Sequence, residues 1–133
     1  MTEIIKIHYT ATVFMCGLIW ITQLVHYPAF NYVDKNLSSK FHFFHSKRIS
    51  LIVLPVMLTE LASCIYILIF ESPDFKFNLS CLLLLLIWAS TFFLQMNYHK
   101  KLSTNFSDIY VKKLVKTNWI RTLFWTLRVL LLF

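Results

Sequence analysis

The chain has 133 residues, 58% hydrophobic and 14% charged, with a mean hydropathy of +0.64. A soluble domain carries about 25% charged residues, and a chain this short has no core large enough to hide so much apolar side chain from water. Composition therefore excludes a soluble globular protein and leaves a single-domain integral membrane protein whose partner is the lipid bilayer. The net charge of +7 is not a nucleic-acid signature, because the basic residues gather in two loops, as they do on the cytoplasmic side of membrane proteins.

Four apolar runs reach the roughly 20 residues that a helix needs to cross a bilayer: 4–26, 49–70, 77–98 and 111–133. The first follows Met-Thr-Glu, with no basic leader and no Ala-x-Ala site, and is read as a retained helix rather than a signal peptide. Within it His8, Thr12, Cys16, Gln23 and His26 fall within about an 80° arc at the helical period. Pro28 is expected to end it. The second run contains Pro55, expected to bend the helix, and carries Met57, Glu60 and Cys64 on one face. After the turn Glu71-Ser-Pro-Asp-Phe-Lys76, the third run shows a narrow stripe of Trp88, Thr91, Gln95 and His99. The last repeats the pattern with Asn118, Arg121, Trp125 and Arg128. Each run has one polar or aromatic seam. The fold class is therefore all-α: a polytopic membrane protein with four transmembrane helices in an antiparallel bundle around a polar interior. Gly17 is the only glycine, so close crossings through small residues are not expected.

Charge gives an orientation. Lys35, Lys40, Lys47 and Arg48 mark the first long loop, and Lys100, Lys101, Lys112, Lys113 and Lys116 mark the other, nine of the 13 basic residues. The positive-inside rule puts loops 27–48 and 99–110 in the cytoplasm and both termini outside, in a bacterial inner membrane. Cys16, Cys64 and Cys81 lie in apolar runs without zinc-ligand spacing and read as small packing residues.

Charges within the spans are the candidate chemistry. A charge at the bilayer centre costs at least about 2.5–3.5 kcal/mol and needs a partner. Glu60 lies roughly 15 Å from the outer end of its helix and Arg121 roughly 18 Å from the end of the last one. An ion pair between them is expected, acting as a structural bridge, a proton relay or a counter-ion for a substrate. Arg128 is expected near the outer surface, snorkelling to lipid phosphate, the terminal carboxylate or Glu3. Gln23, Gln95 and Asn118 belong to the same interior at the cytoplasmic level. Trp88 and Trp125 lie deep enough to line a pocket for a flat ligand. His26, His42, His45 and His99 share the cytoplasmic side, which admits a divalent metal or a haem held between His26 and His99. Catalytic triads and phosphate-binding glycine loops are absent from the sequence.

Five stretches carry a resemblance: Trp20-Ile-Thr-Gln-Leu-Val-His-Tyr-Pro28, His42-Phe-Phe-His-Ser-Lys-Arg48, Pro55-Val-Met-Leu-Thr-Glu60, Trp88-Ala-Ser-Thr-Phe-Phe-Leu-Gln95 and Asn118-Trp-Ile-Arg-Thr-Leu-Phe-Trp125. Together they resemble an uncharacterised family of small four-helix bacterial integral membrane proteins, which implies the topology and no activity. His8, Arg48 and Pro55-Val-Met57 are also similar, more distantly, to the haem-containing HemJ-type protoporphyrinogen oxidases. That similarity implies a haem ligand at His8. It also implies a lysine at the start of the third helix, where the nearest here is Lys76. The functional expectation is a membrane protein that binds a lipophilic ligand or cofactor in its bundle, with redox chemistry as one possibility. The alternatives are a proton or small-solute pathway through Glu60 and Arg121, and an accessory subunit or homo-oligomer packing its seams against another membrane chain.

Overall fold

The computed structural model describes residues 2–133, and among these there is helix and no strand. Helix α1 (Glu3–Ile21) continues through a π turn at Thr22–His26 and a 3-10 turn at Pro28–Tyr32. Helix α2 (Ser38–Phe70) runs through Pro55 without interruption. Helix α3 (Phe75–Ser90) passes through a second π turn, Thr91–Gln95, directly into α4 (Met96–Thr104). Helix α5 (Asp108–Leu132) closes the chain.

The turns follow from their residues. Asp74 caps α3, its Oδ1 accepting from the Phe77 N–H at 2.9 Å, and Pro73 before it stops α2 from continuing. Ser107 caps α5 by accepting from the Ile109 N–H at 3.3 Å. Pro28 does not end the first helix outright. Lacking an N–H, it tightens the chain into the 3-10 turn. The second helix starts at Ser38, about eleven residues before the apolar run, because amphipathic residues between 38 and 48 bury Ser38, His42 and His45 and expose Lys40, Lys47 and Arg48.

Three continuous helices are long and apolar enough to cross a membrane: Glu3–Tyr32, Ser38–Phe70 and Phe75–Thr104. The fourth, α5, is not among them. Lys112, Lys113, Lys116, Arg121 and Arg128 all lie within it.

Packing is inverted relative to a soluble protein. Ile69, Leu85, Phe93 and Leu130 stand on the surface, whereas His8, Glu60, Arg121 and Arg128 are buried. Helix α5 packs against α1 and α3, and α1 also packs against α2. The apolar core has three clusters. Tyr27, Phe30, Leu102, Val111 and Leu114 close one end. Met15, Ile19, Met57, Ile87 and Trp125 fill the middle. Cys64, Ile67, Phe77, Cys81 and Leu84 close the other end, beside the α2–α3 turn. In sequence Glu60 and Arg128 fall next to the junction of the last two clusters, and Arg121 next to that of the first two.

Candidate functional site

Glu60 pairs with Arg128, not with Arg121 as its depth suggested. The Arg128 Nη1 donates to Glu60 Oε1, and both side chains are fully buried. Arg128 therefore does not snorkel to the surface. Its other two nitrogens also have partners. Nε donates to the carbonyl and the hydroxyl of Ser80 at 3.1 Å each, and Nη2 reaches His8 Nε2 at 3.2 Å. Arginine has only donors, so His8 Nε2 accepts and the ring proton sits on Nδ1. Nδ1 in turn meets the Ser63 hydroxyl at 2.9 Å and the Glu60 carbonyl at 3.2 Å. Glu60 also accepts from the Thr12 hydroxyl at 2.8 Å and from Trp125 Nε1 at 3.2 Å. Helices α1, α2, α3 and α5 are thus tied together by one closed network. A buried ion pair offsets its desolvation only with further hydrogen bonds, and here every nitrogen of Arg128 and both oxygens of Glu60 have a partner.

Arg121 is the contrasting case. It is 7% exposed and has no carboxylate partner among the described residues. Its one hydrogen bond is from Nη1 to Asn118 Oδ1 at 3.4 Å, while Nε has no partner. Its guanidinium carbon lies 5.3 Å from the Trp125 ring, a cation–π contact. Asn118 is held in place by donating to Gln23 Oε1 at 2.8 Å, and Gln23 donates to the Val115 carbonyl at 3.2 Å. Gln95 donates to the Thr117 hydroxyl at 2.9 Å and leaves its own carbonyl oxygen without a donor.

Arg121 and Gln95 share the wall of a cavity of about 150 Å³, with Tyr27, His45 and His99 at one end and Met15 and Ile19 at the other. Ser50 and Met96, both exposed, lie at its edge, where α2 faces the junction of α3 with α4. Both π turns contribute to it, through Thr22 on one side and Thr91 and Gln95 on the other. π turns interrupt the regular helical ladder and recur at functional sites.

The sequence-predicted residues thus divide into two groups. Glu60, Trp125 and His8 join Arg128 in the closed network. Asn118, Gln23 and Gln95 surround Arg121. Trp88 stacks on Phe92 at 5.5 Å, with its Nε1 unpaired, and lies outside the cavity wall. Thr12 joins the network from the polar arc of the first helix, whereas Ser63 and Ser80 have no sequence signal beyond a short hydroxyl inside an apolar run.

The histidines pair two by two. His42 Nε2 and His99 Nδ1 are 2.9 Å apart, and the His26 and His45 rings lie 5.0 Å apart. His26 and His99 therefore each stand against a different α2 histidine rather than facing one another as axial ligands. Among the described residues no group of three or more His, Cys, Asp or Glu side chains is placed to hold a metal ion. Haem does not fit the residues present. Both His8 nitrogens are already engaged, and the cavity that His45 and His99 line, about 150 Å³, has room for one six-membered ring rather than a macrocycle, while the larger hollows on the surface are lined by no histidine.

No family model, curated protein or solved structure matches the chain.

Proposed function

We propose that this chain is a four-helix integral membrane protein that binds the carboxylate end of a lipophilic ligand beneath Arg121. The observation that carries the reading is a buried guanidinium without a counter-ion on the wall of a cavity. Arginine does not discharge by losing its proton. A charge held in an apolar interior calls for an anion of matching geometry, and a carboxylate meets the guanidinium fork with two hydrogen bonds. Gln95, with a free acceptor oxygen, suits a hydroxyl on the same ligand. The opening beside Ser50 and Met96 gives the apolar remainder a way out toward lipid.

Helix α5 is the fourth span in this reading. The two arginines that lower its hydropathy are buried inside the protein, and Leu123, Leu127 and Leu130 cover its outer face. The three lysines lie in its first three turns, at the cytoplasmic end. Both termini then face outward across a bacterial inner membrane. Glu60 is already held by Arg128, Thr12 and Trp125, so ligand binding, rather than a proton pathway through Glu60, is the function favoured.

Benzoate is the probe, because one ring with a carboxylate matches both the volume and the charge. Titration into detergent-solubilised protein is expected to raise its melting temperature, with benzene having a smaller effect. Native mass spectrometry after gentle extraction is expected to show a bound acidic lipophile that Arg121→Gln loses. If benzoate leaves the melting temperature unchanged and no adduct is retained, the assignment is wrong.

A further inference from the structure

Two cysteines that read in sequence as packing residues are brought sulfur to sulfur. Cys64 Sγ and Cys81 Sγ stand 2.6 Å apart. Cys64 precedes the end of α2 at Phe70 by six residues, and Cys81 follows the start of α3 at Phe75 by six. Both therefore lie about 9 Å from the connecting turn at the helical rise. Both are buried, packed among Ile67, Phe77 and Leu84. Cys16, the third cysteine, is elsewhere on α1, 3.9 Å from the Thr126 hydroxyl.

We propose that Cys64 and Cys81 are an oxidisable pair that closes into a disulfide stapling α2 to α3. The oxidant is a protein or small-molecule disulfide in the compartment facing the Glu71–Asp74 turn. One thiolate attacks it and displaces the first oxidant thiol, leaving a mixed disulfide. The second thiolate then attacks the cysteine sulfur of that mixed disulfide and displaces the other oxidant thiol. The two cysteines lose two protons and two electrons, and the oxidant leaves as two thiols. The exchange takes place during insertion, before α1 and α5 cover the pair. It rests on the proposed orientation for its oxidant alone, because the outer face of a bacterial inner membrane is an oxidising compartment.

The staple has work to do in this fold. Helix α3 packs mainly on α5 and α2 mainly on α1, with only slight contact between α2 and α3. Cys64 lies one turn beyond Glu60, and Cys81 adjoins Ser80, which receives Arg128 Nε. A bond between them fixes the distance between α2, which carries Glu60, and α3, whose Ser80 receives Arg128.

Counting free thiols tests this. Membranes are treated with an alkylating agent to stop exchange. The protein is then denatured and labelled further, and intact mass is read with and without reductant. One label, on Cys16, is expected without reductant, and three are expected when reduction precedes labelling. Cys64→Ser is expected to take two labels whether or not it is reduced. Three labels without reductant, even after membranes are exposed to a small disulfide oxidant, would overturn the proposal. So would a disulfide that peptide mapping assigns to Cys16. Neither reading depends on benzoate binding, so the two proposals fail separately.

Discussion

Arg121 and Arg128 lie on the same side of α5, two turns apart and both buried, yet only Arg128 has a carboxylate. One is neutralised within the fold and the other is not. The same residue type in the same helix therefore has opposite energetic standing, and substitution separates the two.

Replacing one member of the Glu60–Arg128 pair leaves its partner charged in an apolar interior. Glu60→Gln and Arg128→Gln are each expected to destabilise the protein by about 3–5 kcal/mol. The double change Glu60→Gln with Arg128→Gln is expected to cost far less than the sum. Unfolding in mixed micelles measures all three. Additive losses would show that the two side chains act independently.

Arg121→Met should behave in the reverse sense. It removes a buried charge that has no counter-ion, and the methionine fills the stem's volume, so the ligand-free protein is expected to be as stable as the parent or more so. Its response to benzoate is expected to vanish. A loss of stability comparable with that of Arg128→Gln would mean that Arg121 is paired after all.

Trp125 serves both arginines, through its N–H to Glu60 and its ring face to Arg121. Trp125→Phe keeps most of the ring and removes the donor. The expected cost is about 0.6–1.7 kcal/mol, the range for a hydrogen bond between membrane helices. A drop several times larger, in the same micelle assay, would indicate that the indole's bulk matters more than its donor.

Gly17 sits in the middle of α1, and an added methyl group would meet nothing within 4 Å. Gly17→Ala is expected to stabilise the protein by up to about 1 kcal/mol through helix propensity alone. A destabilised variant would place another molecule or another copy of the chain against that face.

Much of this arrangement was legible in the sequence, and the reasons for the rest are geometric. A lone acid in an apolar run had to be buried and paired, and Glu60 is. The common face of Asn118, Arg121 and Trp125 followed from helical phase. Backbone depth points to the wrong partner, because it ignores the reach of the side chain. Helical side chains tilt toward the N-terminus of their helix, and on α5 that carries the long Arg128 stem inward from the chain end to Glu60. The start of α2 at Ser38 was hidden because its first turns bury histidines rather than aliphatic residues. The two π turns left no mark in residue type. They interrupt α1 and α3 without a glycine or proline inside them, so no residue type in the sequence marks them.

Those π turns bear on how the chain tolerates changes in length. A π turn accommodates a residue beyond the regular α-helical count. Deleting one residue within Thr22–His26 would therefore return α1 to the regular count and leave Tyr27 and Phe30 close to the cluster they anchor. The same deletion within Thr91–Gln95 would leave Leu102 close to that cluster from the other side. An equal deletion in the middle of α5, which has no π turn, would instead rotate everything after it by about 100° and carry Arg128 off the face that meets Glu60. The two π turns are the places where these helices have a residue to spare.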